Sequence, residues 1–387
     1  MNTNTSLVIY QVLFKDVPVF SITKSGIVNI HNPEYMPADI YLETVTDSTG
    51  VDNLDTCINN ITNFNSWAAS RILNLDRKYA HELLNSLGFS QRLTDKEKAQ
   101  IAIQTRCLSI NDCYWLKNID EDISFDRVNL FDNSLKNAVY DIALFGTGPS
   151  ANNTELNTMP IADISTDGTA PKAWIRKDDG FYLLKGDVND SVTRETEASA
   201  ILRKLGLLVT EYKKDHFKDA PVSVCKAFTN KEVNFVRAEW FNIKCMNNDE
   251  DIADYIYRFK DQFDKMNLAD YLVGNSDEHA QNWGFLYDEK LNILSLNPPM
   301  DYDHAFTGDE NTLCLPMQLL GQTVTQEEVA IDIIKEHPDW IDFDVDLSEY
   351  KYGSEVTKRL AVLREYVIEM DPESDIDKDD DFDIGDN

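Results

Sequence analysis

Positive charge is scarce in this sequence: 36 Lys and Arg stand against 68 Asp and Glu, a formal net charge of −32 over 387 residues. A surface this negative repels phosphate backbones and anionic membranes at long range, which argues against direct contact with nucleic acid or a membrane surface. A chain of this kind that handles a nucleotide has to build a local positive pocket from a few lysines, backbone N–H groups and metal. Paired cysteines are missing too. Cys57, Cys107, Cys113, Cys225, Cys245 and Cys314 are scattered, with no C-x-x-C among them. A chain of this size does not need covalent staples, so reduced thiols are expected. The start, MNTNTSLVIYQVLF, has no basic region, and Lys15 and Asp16 break its apolar run. No segment approaches the ~20 apolar residues of a membrane span, and the cytoplasm is the expected compartment.

What is present is enough for a packed core: 42% of residues are hydrophobic and 10% aromatic. The length suits two domains, or one two-lobed catalytic domain with an N-terminal extension. Residues 6–44 read as short strands (LVIYQVLF, VPVFSI, IVNI), followed by a polar segment around 45–60 and a helical pattern from Asn63. Helices are expected over about 76–88, 94–107 and 134–144, and residues 146–163, rich in Gly, Pro and Asn, as a linker. Gly146-x-Gly148 lacks the third glycine of a dinucleotide fingerprint. AWIRKDDGFYLLK then reads as a hairpin turning at Asp179-Gly180, followed by a helix over about 193–205 and strands at VSVCKAF and NFVRAEWF. A last helix covers about 354–369, and the acidic end, 371–387, is too poor in apolar residues to order itself.

The chemistry concentrates in GNSDEHAQNWGF, residues 274–285. Four residues separate Asp277 from Asn282, the spacing of the catalytic-loop Asp and Asn in protein kinases. The Asp accepts the proton of an attacking hydroxyl, and the Asn places a neutral oxygen on a metal bridging the phosphates. One turn of loop sets both on the same side of a cleft. A short hairpin, WGFLY and ILSL around Asp288-Glu289, leads on to Asp301-Tyr302-Asp303, where a second magnesium-binding carboxylate belongs. Asp301 is the preferred ligand and Asp303 the alternative. Upstream, Lys185 ends the strand FYLLK as a phosphate-pairing lysine does, and Glu195 and Glu197 fall in the first turn of the next helix, where an acid can hold its ammonium.

Together GNSDEHAQNWGFL, PMDYDHAF, STDGTAPKAWI and LLKG resemble the HipA-like serine/threonine kinases over residues 160–370, with four motifs in family order. The resemblance implies an α+β, divergent protein-kinase-like two-lobed fold, with a small β-rich N-lobe at 164–243, a helical C-lobe at 244–370 and an N-terminal α/β extension over 1–145. It implies ATP and Mg2+, with Asp277 as general base, Asn282 and Asp301 as magnesium ligands and Lys185 on the phosphates. Glu195 fits the family helix better than Glu197 as the partner of Lys185. Ser165, Thr166, Asp167, Gly168, Thr169 and Lys172 correspond to the nucleotide-covering loop, with Ser165 at the position autophosphorylated in some members. The stretch Arg237 to Phe241, with Glu239, Trp240 and Phe241, corresponds to the hinge that meets adenine. The family commonly has Arg at Glu278 and an aromatic at Met300, so the cation beside the base is missing.

His279 and His304 lie near acidic residues, but without H-x-x-x-H or a Cys partner they do not read as a zinc site. His279 is placed with the nucleotide cleft and its scaffolding instead. Trp115 and Trp283 are expected in the core, and Asp342, Asp344 and Asp346 on a solvated strand edge. The first reading is an active kinase for Ser or Thr hydroxyls on itself and on a protein, whose identity the sequence does not give. The alternatives are a catalytically weak or inactive kinase-fold interaction protein, or a kinase for a lipid or small molecule. An antitoxin-like regulatory partner is compatible with the resemblance, and a basic partner of that kind would be the route to any DNA.

Overall fold

The computed structural model describes residues 9–45, 50–72, 94–133, 144 and 171–370. The expected helix at 76–88, the linker, residues Ser165 to Thr169 of the nucleotide loop and the acidic tail lie outside the described residues, as does all but Leu144 of the helix expected at 134–144. Strands β1 (Ile9–Phe14), β2 (Val17–Thr23) and β3 (Val28–Ile30) run antiparallel. Helices α1 (Val51–Ser70) and α2 (Asp95–Gln104) follow, and β4 (Tyr114–Asn118) returns to pair with β1, giving the order β3-β2-β1-β4. Helix α2 begins with Thr94 and Glu97 capping each other's backbone N–H.

Helix α1 begins at Val51, twelve residues before the expected start. Two inversions of the usual pattern hid it. Val51, Leu54 and Ile58 face solvent, while Asn60 is buried. The Asn60 amide donates to the carbonyls of Gly26 (3.2 Å) and Glu43 (2.8 Å), tying α1 to the loops beside the sheet.

The second sheet comes from β5 (Lys172–Lys177), β6 (Gly180–Gly186), β7 (Lys213–Phe217) and β8 (Ala220–Lys226), in the order β5-β6-β8-β7. Helix α3 (Ser191–Lys204) connects β6 to β7. The hairpin turns at Asp178-Asp179, and Gly180 is already paired with Lys177. Next come β9 (Asn234–Arg237), α4 (Ala238–Asn247), α5 (Ile252–Arg258), α6 (Lys260–Val273), β10 (Gly284–Tyr287) and β11 (Ile293–Leu296). The last three strands form a sheet of order β11-β10-β9, and α7 (Gln326–Glu336) and α8 (Gly353–Met370) complete the chain.

NFVRAEWF is therefore a strand only as far as Arg237. Ala238 and Glu239 donate their backbone N–H groups to the carbonyls of Trp283 (2.9 Å) and Ala280 (3.0 Å). These partners satisfy donors that a helix start leaves open, and AEWF becomes the first turn of α4. The expected lobe boundary at 243–244 accordingly falls inside a helix. Nor are Asp342, Asp344 and Asp346 on a strand. Asp342 and Asp346 accept the backbone N–H of Asp344 and Ser348, each at 2.9 Å, and Asp344 pairs with Arg364.

One apolar core joins the first two sheets: Val12, Phe14, Trp67 and Trp115 pack with Phe181, Leu184 and Val222. A second joins Ile201 and Leu202 of α3 to Leu268 and Leu272 of α6 and Leu360 of α8. Phe241, Phe263, Trp283 and Phe285 form a third. Trp115 and Trp283 are fully buried, as expected, and the six cysteines are buried free thiols. The architecture is α+β: a small β-rich lobe, a helical lobe and an N-terminal α/β extension packed on the small lobe. No helix among the described residues is long and apolar enough to cross a membrane.

Gly284 of β10 pairs with Arg237 of β9. A Cβ there would run into the Val236 carbonyl and the Arg237 Cα. Because both obstacles are backbone, Gly284→Ala is expected to cost about 3 kcal/mol, read as a lower urea midpoint with an unchanged slope.

Candidate active site

The register of the second sheet places Lys172 opposite Lys185, and Lys185 opposite Ser223. Directly opposed residues share a face, so two lysines and a serine project together from three adjacent strands. Lys185 is 4% exposed and forms an ion pair with Glu195 of α3, which is 1% exposed. The other Glu195 oxygen accepts a hydrogen bond from the Ser223 hydroxyl. Lys185 Nζ also meets Asp301 Oδ1 at 2.7 Å. Burial opposes charge on the ammonium, but Asp301 and Glu195 outweigh it and hold Lys185 well above the usual lysine range. Burial likewise opposes charge on Asp301, yet Lys185 and Lys172 keep its carboxyl well below the usual carboxylate range.

Helix α3 starts at Ser191, earlier than expected, so Glu195 stands in its second turn rather than its first. From there its carboxylate reaches Lys185. Glu197 points elsewhere and accepts the backbone N–H of Tyr352 at 3.1 Å. Asp301 has φ 65°, in the left-handed region, and its N–H donates to the Tyr212 hydroxyl at 3.2 Å. The Tyr212 ring centroid is 5.1 Å from Lys185 Nζ.

Across the cleft, α6 ends at Gly274, with φ 56°. The chain then folds on itself: His279 N–H donates to the Asp277 carbonyl (2.9 Å) and Asn282 N–H to the His279 carbonyl (2.8 Å). The Asn282 amide nitrogen donates to the Asp277 carbonyl at 2.7 Å. Asp277 keeps its carboxylate half exposed, with His304 Nδ1 at 3.4 Å. The same His304 nitrogen lies 3.0 Å from Asp303, and that hydrogen bond pushes the imidazole up against its partial burial. His279 Nε2 is 4.0 Å from the Asp277 carboxylate. Lys172, Lys185, Asp277, Asn282, Asp301 and Asp303 all line one cleft of about 290 Å³.

A solved structure from Shewanella oneidensis MR-1, described as the toxin–antitoxin system HipA, HipB and its operator DNA complex, superposes with a TM-score of 0.51. It covers 92% of this chain and 97% of its own, at 14% identity. The chain has a HipA-like kinase fold. The Helicobacter pylori proinflammatory kinase CtkA also matches, with a TM-score of 0.37 and 18% identity, over 51% of this chain and 91% of its own. No family model and no curated relative matches the sequence.

The stretch Arg237 to Phe241, expected to meet adenine, is divided: Arg237 lines this cleft. Phe241 is in the core against Phe285, with ring centroids 4.4 Å apart. Glu239 and Trp240 line a neighbouring cleft beside Arg71 and Asp112. Ala227, Phe228 and Thr229, with Leu183, Phe235 and Met300, line the cleft beside Lys185. Sequence reasoning missed Tyr212 and Ser223 as well. Nothing in the sequence marks Tyr212, whereas the position of Ser223 opposite Lys185 follows once the two strands are aligned. Glu278, expected beside the base, is instead 2% exposed and turned into the protein.

Ser223→Ala would leave a buried Glu195 oxygen without its donor. The expected loss is about 1–3 kcal/mol of stability, measured by chemical denaturation, with Ser223→Thr retaining part of it.

Proposed function

We propose that the protein is an ATP- and magnesium-dependent kinase that transfers the γ-phosphoryl group of ATP to a Ser or Thr hydroxyl. The observation that carries this reading is Lys185, held by Glu195 and Asp301 on the same cleft that Asp277 and Asn282 line. Lys172 and Lys185 give an otherwise acidic molecule its local positive wall for phosphate. Asp277, half exposed, is free to meet an incoming hydroxyl. As the hydroxyl oxygen bonds to the γ-phosphorus, the bond from phosphorus to the bridging oxygen breaks and ADP leaves. The Asp277 carboxylate takes the hydroxyl proton.

The residues fit a hard cation. The Asn282 amide nitrogen is engaged with the Asp277 carbonyl, which leaves its oxygen as the metal-facing atom, and Asp301 is held as a carboxylate. Magnesium bound there supplies neutralisation of the phosphate charge. Asp303, hydrogen-bonded to His304, is the weaker candidate.

We place the small lobe at 164–243, the helical lobe at 244–370 and the extension at 1–145, with α4 spanning the boundary between the lobes. Ser165, or Thr166 or Thr169 beside it, is the proposed autophosphorylation acceptor. An antitoxin-like protein partner is part of the same reading, since HipB accompanies the Shewanella HipA, and a basic partner suits a chain of charge −32. We read the chain as cytoplasmic and without direct nucleic-acid contact.

Intact mass after incubation with Mg-ATP, followed by phosphosite mapping, is expected to place phosphate on residues 165–169. Asp277→Asn and Asp301→Asn are each expected to lower phosphotransfer on the order of a thousandfold or more, with unchanged circular dichroism. Near-normal turnover in both variants would overturn the assignment.

A further inference from the structure

Beneath the Asp277 loop lies a cluster that the proposed reaction does not use. Asn275, fully buried, donates through one amide nitrogen to Asp270 Oδ1 (3.0 Å) and Glu278 Oε2 (3.2 Å). Its backbone carbonyl accepts from Gln326 of α7 at 2.6 Å. Both acids are 2% exposed, and Asp270 Oδ2 and Glu278 Oε1 have no hydrogen-bond partner. The Tyr302 hydroxyl, also fully buried, has none. Neither acid forms an ion pair among the described residues.

Two buried carboxylates on one amide, with no cation, would leave both charges uncompensated. Protonation of the two carboxyls removes both charges. We propose that Asp270, Asn275 and Glu278 form a proton-loaded clamp, in which Glu278 is a positioning residue for the Asp277 loop. Glu278 adjoins Asp277 in the chain, so anchoring its side chain to Asn275 and α6 fixes the backbone that aims the base.

The charged and titratable surroundings agree. Asp277 comes from the loop, Asp301 and Tyr302 from the turn after β11, and Cys314 from the segment before α7. Arg359 of α8 packs on Gly274 and donates to the Gly308 carbonyl at 2.9 Å. Burial pushes Asp270 up to about 8, against the Asn275 hydrogen bond. Burial, then Asp270, Asp301 and Asp277, push Glu278 well above the carboxylate range. Both folded values exceed the unfolded ones of about 4. The stability these groups contribute is therefore fully present below about pH 4 and is lost as pH rises through the folded values, about 8 for Asp270.

The role in aiming the base rests on the kinase reading, so the test has a readout independent of phosphotransfer. The full-length chain, Glu278→Gln and Glu278→Ala are melted at about pH 6 and about pH 9, either side of the Asp270 titration. Gln, a permanently neutral acceptor and donor, is expected to shrink the fall in melting temperature between the two pH values. Glu278→Ala is expected to lower kcat roughly tenfold with KM for ATP within about twofold. Glu278→Gln is expected to recover most of that loss and to extend activity to higher pH. The same melting-temperature fall in wild type and Glu278→Gln, or stabilisation by added sodium or potassium that Glu278→Gln abolishes, would overturn the clamp. If no form transfers phosphate, the kinase reading falls, and the melting comparison alone decides the clamp.

Discussion

The Lys185 ammonium holds three parts of the chain in one place. It sits on β6, its first carboxylate comes from α3, and its second from the turn after β11. A buried ammonium is stable only while a carboxylate stays beside it, because losing both would leave an uncompensated charge in a poorly solvated site. The placing of α3 against the sheet, the left-handed turn at Asp301 and the Tyr212 hydroxyl beneath its N–H all serve that one requirement. The small and helical lobes therefore meet at a charge contact as well as at an apolar one.

The opposite wall of the cleft is organised chiefly by hydrogen bonds within one loop. Gly274 ends α6, and the loop folds through backbone hydrogen bonds among Asp277, His279 and Asn282. Below it, Asn275 joins two buried acids. The cleft thus has one side dominated by the Lys185 ion pairs and another built on a hydrogen-bonded loop that carries the half-exposed Asp277 carboxylate. The N-terminal extension supports the first side from behind, sharing an apolar core with β6 and β8.

Local periodicity made much of the molecule legible. The hairpin into Lys185, the hairpin after Asn282 and the last helix follow from alternating or helical apolar patterns that the core uses directly. The early half of α1 did not, because its exposed valine, leucine and isoleucine and its buried Asn60 reverse the usual signal. The first turn of α4 was misread for another reason. AEWF fits a strand by composition, and only the carbonyls of Ala280 and Trp283, more than forty residues away, make it helical.

The sequence by itself determined the kinase-like order of motifs: a lysine ending a strand, an acidic helix, an Asp and an Asn with four residues between them, a hairpin, then an Asp. Spacing along the chain fixes these because each pair lies within one or two local elements. Tertiary structure decided that the Glu195 carboxylate is shared between Lys185 and Ser223, which segments line the cleft, and that Glu278 turns inward. Those outcomes depend on burial and on partners far away in the chain. A side chain's charge and direction follow the groups that surround it, and only the folded packing brings those groups together.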